Sequence, residues 1–179
     1  EPSIYRDVIA TSRSRFGWLL INLLTAIMAS LVISLFDATI QQIVALAILM
    51  PIVASMGGNA GTQALTVAVR ALAMREVSNI NSFRVIWKET IVGALNGVAF
   101  AVVIGIVTFF WFKNTELAVI IAIAMIINLI VAGLFGAGIP IFLNRIGSDP
   151  AISSTVILTT VTDVIGFLIF LGLAATFLI

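Results

Sequence analysis

Asp163 carries the most chemistry to explain in this sequence, because it stands well inside a long apolar stretch, in Thr159-Thr160-Val161-Thr162-Asp163. A charge in the hydrocarbon of a bilayer costs about 2.5–3.5 kcal/mol even on insertion scales. Such a residue therefore faces a cavity and acts on ions or protons, or else it sits protonated against a neighbouring helix. Thr155, Thr159, Thr162 and Gly166 lie three or four residues from one another or from Asp163, which puts them on one helical face. Hydroxyls, a carboxylate and a glycine in one stripe read as a wet wall. The alternative is that each threonine bonds back to a carbonyl of its own helix.

A second stripe lies earlier in the chain. Gly58, Thr62, Thr66 and Arg70 are spaced by four, with Ser55, Asn59 and Gln63 beside them. Pro51 and the Gly57-Gly58 pair can open the backbone and so free carbonyls for a cation or its water. Irregular backbone at membrane depth is tolerated only inside protein or along a water-filled path. Gly57-x-x-x-Gly61 also fits the small-residue motif of helix association, so spacing alone leaves pore lining and packing equally open. Gly93-x-x-x-Gly97 reads mainly as packing, and Asn96 and Asn128 read as buried amides bonded between helices. Asp37 and Glu116 fall at outer span ends as solvated charges. Asp149, in Gly147-Ser148-Asp149-Pro150, reads as a helix N-cap with Pro150 at the first helical position, and it also lies at the inner mouth of the candidate path.

These stripes need elements that cross a membrane. The chain has 179 residues, 61% hydrophobic and 9% charged, with a mean hydropathy of +1.24. Soluble domains are about 45–50% apolar and about 25% charged, so lipid is the solvent this composition fits. A spanning helix needs roughly 20 apolar residues. Five such spans are read at about 16–35, 40–74, 91–112, 117–143 and 151–179. The second exceeds what a bilayer requires, so it should break near Gly57-Gly58-Asn59 or project from the membrane. The first run is too long for a cleavable leader and lacks a small-residue cleavage site. An odd span count cannot divide into two equal inverted halves, so any symmetry should come from a second copy.

Basic residues collect in cytoplasmic loops. Arg6, Arg13, Arg15, Arg70, Arg75, Arg84, Lys88 and Arg145 fall on one side of this topology and only Lys113 on the other. The N-terminus is thus expected in the cytoplasm and the C-terminus outside, in a multi-pass protein of a cell membrane, the inner membrane if the source is bacterial. The net charge of +1 comes from bases scattered at helix ends and suggests no nucleic-acid partner. There is no cysteine and no histidine, which excludes thiolate and imidazole metal sites. With no second intramembrane carboxylate read for acid–base work, an enzyme is not expected.

The remaining donors are carboxylate, hydroxyl, amide and backbone carbonyl, which suit hard ions such as Mg²⁺, Ca²⁺ and Mn²⁺. One aspartate neutralises half of a divalent ion. A two-fold homodimer, the commonest oligomer, would bring two copies of Asp163 together on its axis. Mg²⁺ dehydrates reluctantly, so a polar ring wide enough for the hydrated ion would serve as a filter.

The run Pro51-Ile-Val-Ala-Ser-Met-Gly-Gly-Asn-Ala-Gly-Thr-Gln63 resembles the Pro-x6-Gly-Asn signature of the MgtE magnesium channels, shared in looser form by the animal SLC41 carriers. The resemblance continues through Arg70-Ala-Leu-Ala, Ser148-Asp149-Pro150-Ala151 and Thr159-Thr-Val-Thr-Asp163, and Arg13-Ser-Arg-Phe-Gly-Trp-Leu-Leu is similar to that family's approach to the membrane. It implies an all-α homodimer, five helices per chain, with a central pore for Mg²⁺ on or near the dimer axis. It further implies that Asp163, with Thr159, Gly58 and Asn59, binds the partly hydrated ion. Thr62, Thr66, Thr155, Thr162 and Ser55 would line the path, with Asp149 at the cytoplasmic mouth. Members of this type usually carry a cytosolic domain and paired CBS domains that sense magnesium. Only about 15 residues precede the first span, so those regulatory domains are expected to be absent from this chain, which should not gate by that route. Two other readings stay open: a Na⁺- or H⁺-coupled exchanger, and a structural membrane subunit that transports nothing.

Overall fold

The computed structural model describes residues 4–5, 7–78 and 81–178, without the side chains of 150–152. Arg6 and Ile179 of the spans and loops read above lie outside the described residues. The described chain is helical: α1 (Val8–Ser34), α2 (Asp37–Gln42), α3 (Ala45–Ala73), α4 (Ser82–Phe112), α5 (Thr115–Arg145) and α6 (Pro150–Phe177). Five of these, all but α2, are long and apolar enough to cross a membrane.

Helices α3, α4 and α5 end for local reasons. Lys113 takes the left-handed conformation (φ 54°) that closes α4, and its N–H reaches Phe109 O at 2.8 Å. Asn114 then accepts from the Leu117 N–H at 3.1 Å, capping α5. The result is a hairpin with almost no loop. Gly147, at φ 86°, ends α5 in the conformation glycine adopts at least cost. At the close of α3, the Glu76 N–H returns to Ala71 O at 2.8 Å.

Helix α3 corrects one expectation. It runs unbroken through Pro51 and Gly57-Gly58, so the backbone is not opened there, and the chain bends earlier, between Gln42 and Ala45. Proline costs α3 a single bond, to the carbonyl four residues back, at Ala47. The glycines are spent on close approach. A Cβ on Gly57 would lie 2.3 Å from Asn128 Nδ2, and one on Gly61 would lie 2.9 Å from Leu158 Cδ2. At 29 residues and about 1.5 Å each, α3 is roughly 44 Å long against a hydrocarbon core of about 30 Å. It therefore tilts or projects.

Helix α5 is the axis of the bundle, with buried residues from Leu117 to Leu143. It packs on α3, α4 and α6. Its contact with α4 is glycine-mediated, as the spacing suggested: Cβ atoms on Gly93 and Gly133 would each come within 2.3 Å of a backbone oxygen across the interface, Leu129 O and Glu89 O. Helix α1 packs mainly on α6, and Ala29 is its one buried residue.

Candidate functional site

Asp163 stands at the midpoint of α6 (Pro150–Phe177), partly exposed on the single chain. It makes no hydrogen bond or ion pair among the described residues. The neighbouring helix gives its depth. A Cβ on Gly166 would touch Val53 Cγ1 at 3.2 Å, and Gly61 faces Leu158, so α3 and α6 run antiparallel. Asp163 falls between these two levels, opposite the turn of α3 that carries Ser55 and Asn59.

That turn is polar and outward. Ser55, Asn59, Thr62, Gln63 and Thr66 are exposed, and a Cβ on Gly58 would meet nothing within 4 Å. Asn59 Nδ2 donates to Ser55 Oγ at 3.2 Å. Thr62 Oγ1 donates to Gly58 O and Thr66 Oγ1 to Thr62 O, both at 2.8 Å. On α6, Thr159 Oγ1 donates to Thr155 O at 2.9 Å, and both threonines are exposed. Bonding back to the helix's own carbonyls is therefore what forms at these threonines. The hydroxyl protons of Thr62, Thr66 and Thr159 are used inside their own helices, so their oxygen lone pairs remain to accept from water or to meet a cation.

Two residues leave the expected wall. Thr162 is fully buried and donates to Leu158 O at 3.0 Å and Thr159 O at 3.2 Å, so it cannot line an exposed face. Gly166 is also buried, with Asn128 against it. Asn128 itself is 1% exposed and behaves as read, its Nδ2 donating to Val53 O of α3 at 3.1 Å. Asn96, expected to be buried, is exposed. Asp149 directly precedes α6 and is exposed, and Asp37 and Glu116 sit in first turns at helix starts.

Sequence reasoning missed Glu89, which it left in a loop with Arg84 and Lys88 ahead of a span starting at 91. Helix α4 begins at Ser82. Glu89 is part-buried, and its backbone abuts Gly133, within about one turn of the middle of α5. Asp163 is thus not the only carboxylate within a helix long and apolar enough to span a membrane. Among the described residues no three of His, Cys, Asp and Glu gather into a group able to hold a metal ion. Among the described residues, Asp163 is the carboxylate level with the exposed polar turn of α3.

Fold and site together define a polytopic α-helical membrane protein with a polar face on α3 and α6. Residues 50–173 match the MgtE family, described as divalent cation transporters, and this chain belongs to it. Three curated relatives are each named magnesium transporter MgtE. The protein of Bacillus subtilis is 35% identical over 92% of this chain. That of Enterococcus faecalis is 32% identical over 98%, and that of Thermus thermophilus 34% over 93%. The chain spans 36%, 39% and 37% of these relatives' own lengths, so it corresponds to a little over a third of each.

Proposed function

We propose that this chain conducts Mg²⁺ across a membrane as a passive channel, with Asp163 binding the partly hydrated ion. The observation that carries this reading is the unpaired Asp163 at mid-helix, level with the exposed polar turn of α3. A lone carboxylate held there without a partner is costly unless a cation or water meets it. The magnesium assignment draws on the three relatives, each named a magnesium transporter.

The chain works as a two-fold homodimer in this reading, the pore on or near the axis. Two Asp163 side chains together match a divalent charge, and one does not. Thr159, Asn59, Gly58, Thr62, Thr66, Thr155 and Ser55 contribute lone pairs or open space along the path, and Asp149 marks its cytoplasmic mouth. Mg²⁺ keeps several waters, and acceptor-only oxygens suit a hydrated ion whose surface is all donors. The basic helix ends, among them Arg70, Arg75, Arg84, Lys88 and Arg145, support a cytoplasmic N-terminus. Transport is read as passive because Asp163 stands among hydroxyls and amides rather than in a relay of titratable groups through the membrane.

The reading is tested by reconstituting the chain in liposomes and following Mg²⁺ uptake with only a Mg²⁺ gradient imposed. Uptake under that condition supports a channel. Uptake that begins only when a Na⁺ or proton gradient is added replaces the channel with an exchanger.

A further inference from the structure

On the other flank of α3, away from Asp163, lies a small polar cleft between α3, α4 and α5. It has a volume of about 30 Å³ and is lined by Gln63, Glu89 and Asn96 among small and apolar residues, including Ala60, Gly93 and Gly133. None of the three polar side chains has a hydrogen bond or ion pair among the described residues. Glu89 is part-buried there while Gln63 and Asn96 are exposed at the rim. Its level along the bundle is set by the contact with Gly133 of α5. The part-buried Glu89 carboxylate of this cleft has no partner to offset its charge, and a cation held in the cleft would supply one, with the two amides at the rim as further oxygen donors.

Size and charge restrict the occupant. A cavity of 30 Å³ has room for about one water or one bare ion, so Mg²⁺ with its retained waters does not fit. One carboxylate compensates one positive charge. A divalent ion would leave an unmatched charge in a medium where that costs several kcal/mol. The donors on offer, carboxylate and amide carbonyl, are hard oxygens, which suit alkali and alkaline-earth ions. A carboxylate is a strong-field ligand, and the smaller Na⁺ approaches it more closely than K⁺ and is held more tightly. We infer that Glu89, Gln63 and Asn96 form a binding site for a single Na⁺ ion, distinct from the Asp163 site. The bound ion bridges α4 to α3, two helices that otherwise touch little.

The test is the melting temperature of the purified chain in detergent, without Mg²⁺, as NaCl replaces choline chloride at constant ionic strength. Wild type should rise saturably by about 3 °C or more, the linkage expected when an ion at about ten times its Kd binds only the folded state. KCl should give a smaller rise. Asp163→Asn should keep the Na⁺ response, which separates this site from the proposed Mg²⁺ path. Glu89→Gln should abolish it. Should that variant fold poorly, Asn96→Leu and Gln63→Leu must each weaken the response and move its midpoint to higher Na⁺. A wild type indifferent to Na⁺, or a response unchanged in Glu89→Gln, overturns the inference. So does a response lost in Asp163→Asn alone, which would place the ion at the other carboxylate.

Discussion

Asn128 on α5 donates its side-chain N–H to the carbonyl of Val53 on α3 at 3.1 Å, with both residues buried. Gly57 and Gly166 stand on either side of that amide, and a Cβ on either would come within 2.9 Å of its nitrogen. Three helices thus meet on one side chain. The turn of α3 fixed in this way is the turn that presents Ser55, Gly58 and Asn59 outward, so a packing contact sets the position of the polar face.

Replacing Asn128 by alanine should loosen this junction. It removes one interhelical bond and leaves a cavity, together about 1–2 kcal/mol. Thermal unfolding in detergent should show a lower midpoint, and an unchanged midpoint would show that the amide contributes nothing.

Adjacent glycines should respond in opposite ways. Gly57→Ala pushes a methyl into Asn128 and should destabilise by about 1–3 kcal/mol. Gly58→Ala meets open space and should hold or raise stability, by up to about 1 kcal/mol from helix propensity. The same methyl narrows the exposed face, so Mg²⁺ uptake should fall in Gly58→Ala while its melting temperature does not. Equal melting of the two variants would contradict the assignment.

Gly93→Ala and Gly133→Ala should be worse tolerated than Gly57→Ala. Their methyls meet backbone oxygens of Leu129 and Glu89, which cannot rotate aside as an amide side chain can. The α4–α5 hairpin must separate, and both variants should show reduced yield of folded protein by size-exclusion chromatography.

Thr62→Val tests the hydroxyl lone pairs. Valine keeps the shape and removes a donor already satisfied at Gly58 O, so stability should change by less than about 1 kcal/mol. Loss of an outward acceptor should slow Mg²⁺ uptake by about two- to tenfold. Thr62→Ser should restore it, and a valine variant as fast as wild type would remove Thr62 from the path.

The five spans were legible because long apolar runs admit few alternatives, and each predicted span lies largely within one spanning helix. Where the reading failed, tertiary structure decided. Helix α4 starts at Ser82 rather than 91, since basic residues such as Arg84 and Lys88 continue a helix through the interface while their long side chains reach water. That early start is what placed Glu89 inside a spanning helix rather than in a loop. Thr159 and Thr162 are only three residues apart, but the small rotation between them takes one to the surface and the other into the core. The Gly57-Gly58 pair suggested a break because glycine weakens a helix. Nothing in the sequence announced that Asn128, 75 positions away along the chain, would occupy the space its missing side chain leaves.

The central claim, that ions pass Asp163, is tested most directly by comparing Mg²⁺ uptake into liposomes by wild type and Asp163→Asn at matched protein density. The substitution keeps size and removes charge from a residue with no partner in the described fold, so folding should be intact by melting temperature. The account predicts uptake reduced at least about tenfold, because the charge that offsets partial dehydration of the ion is gone. Equal uptake by a folded Asp163→Asn would contradict it and place the path elsewhere.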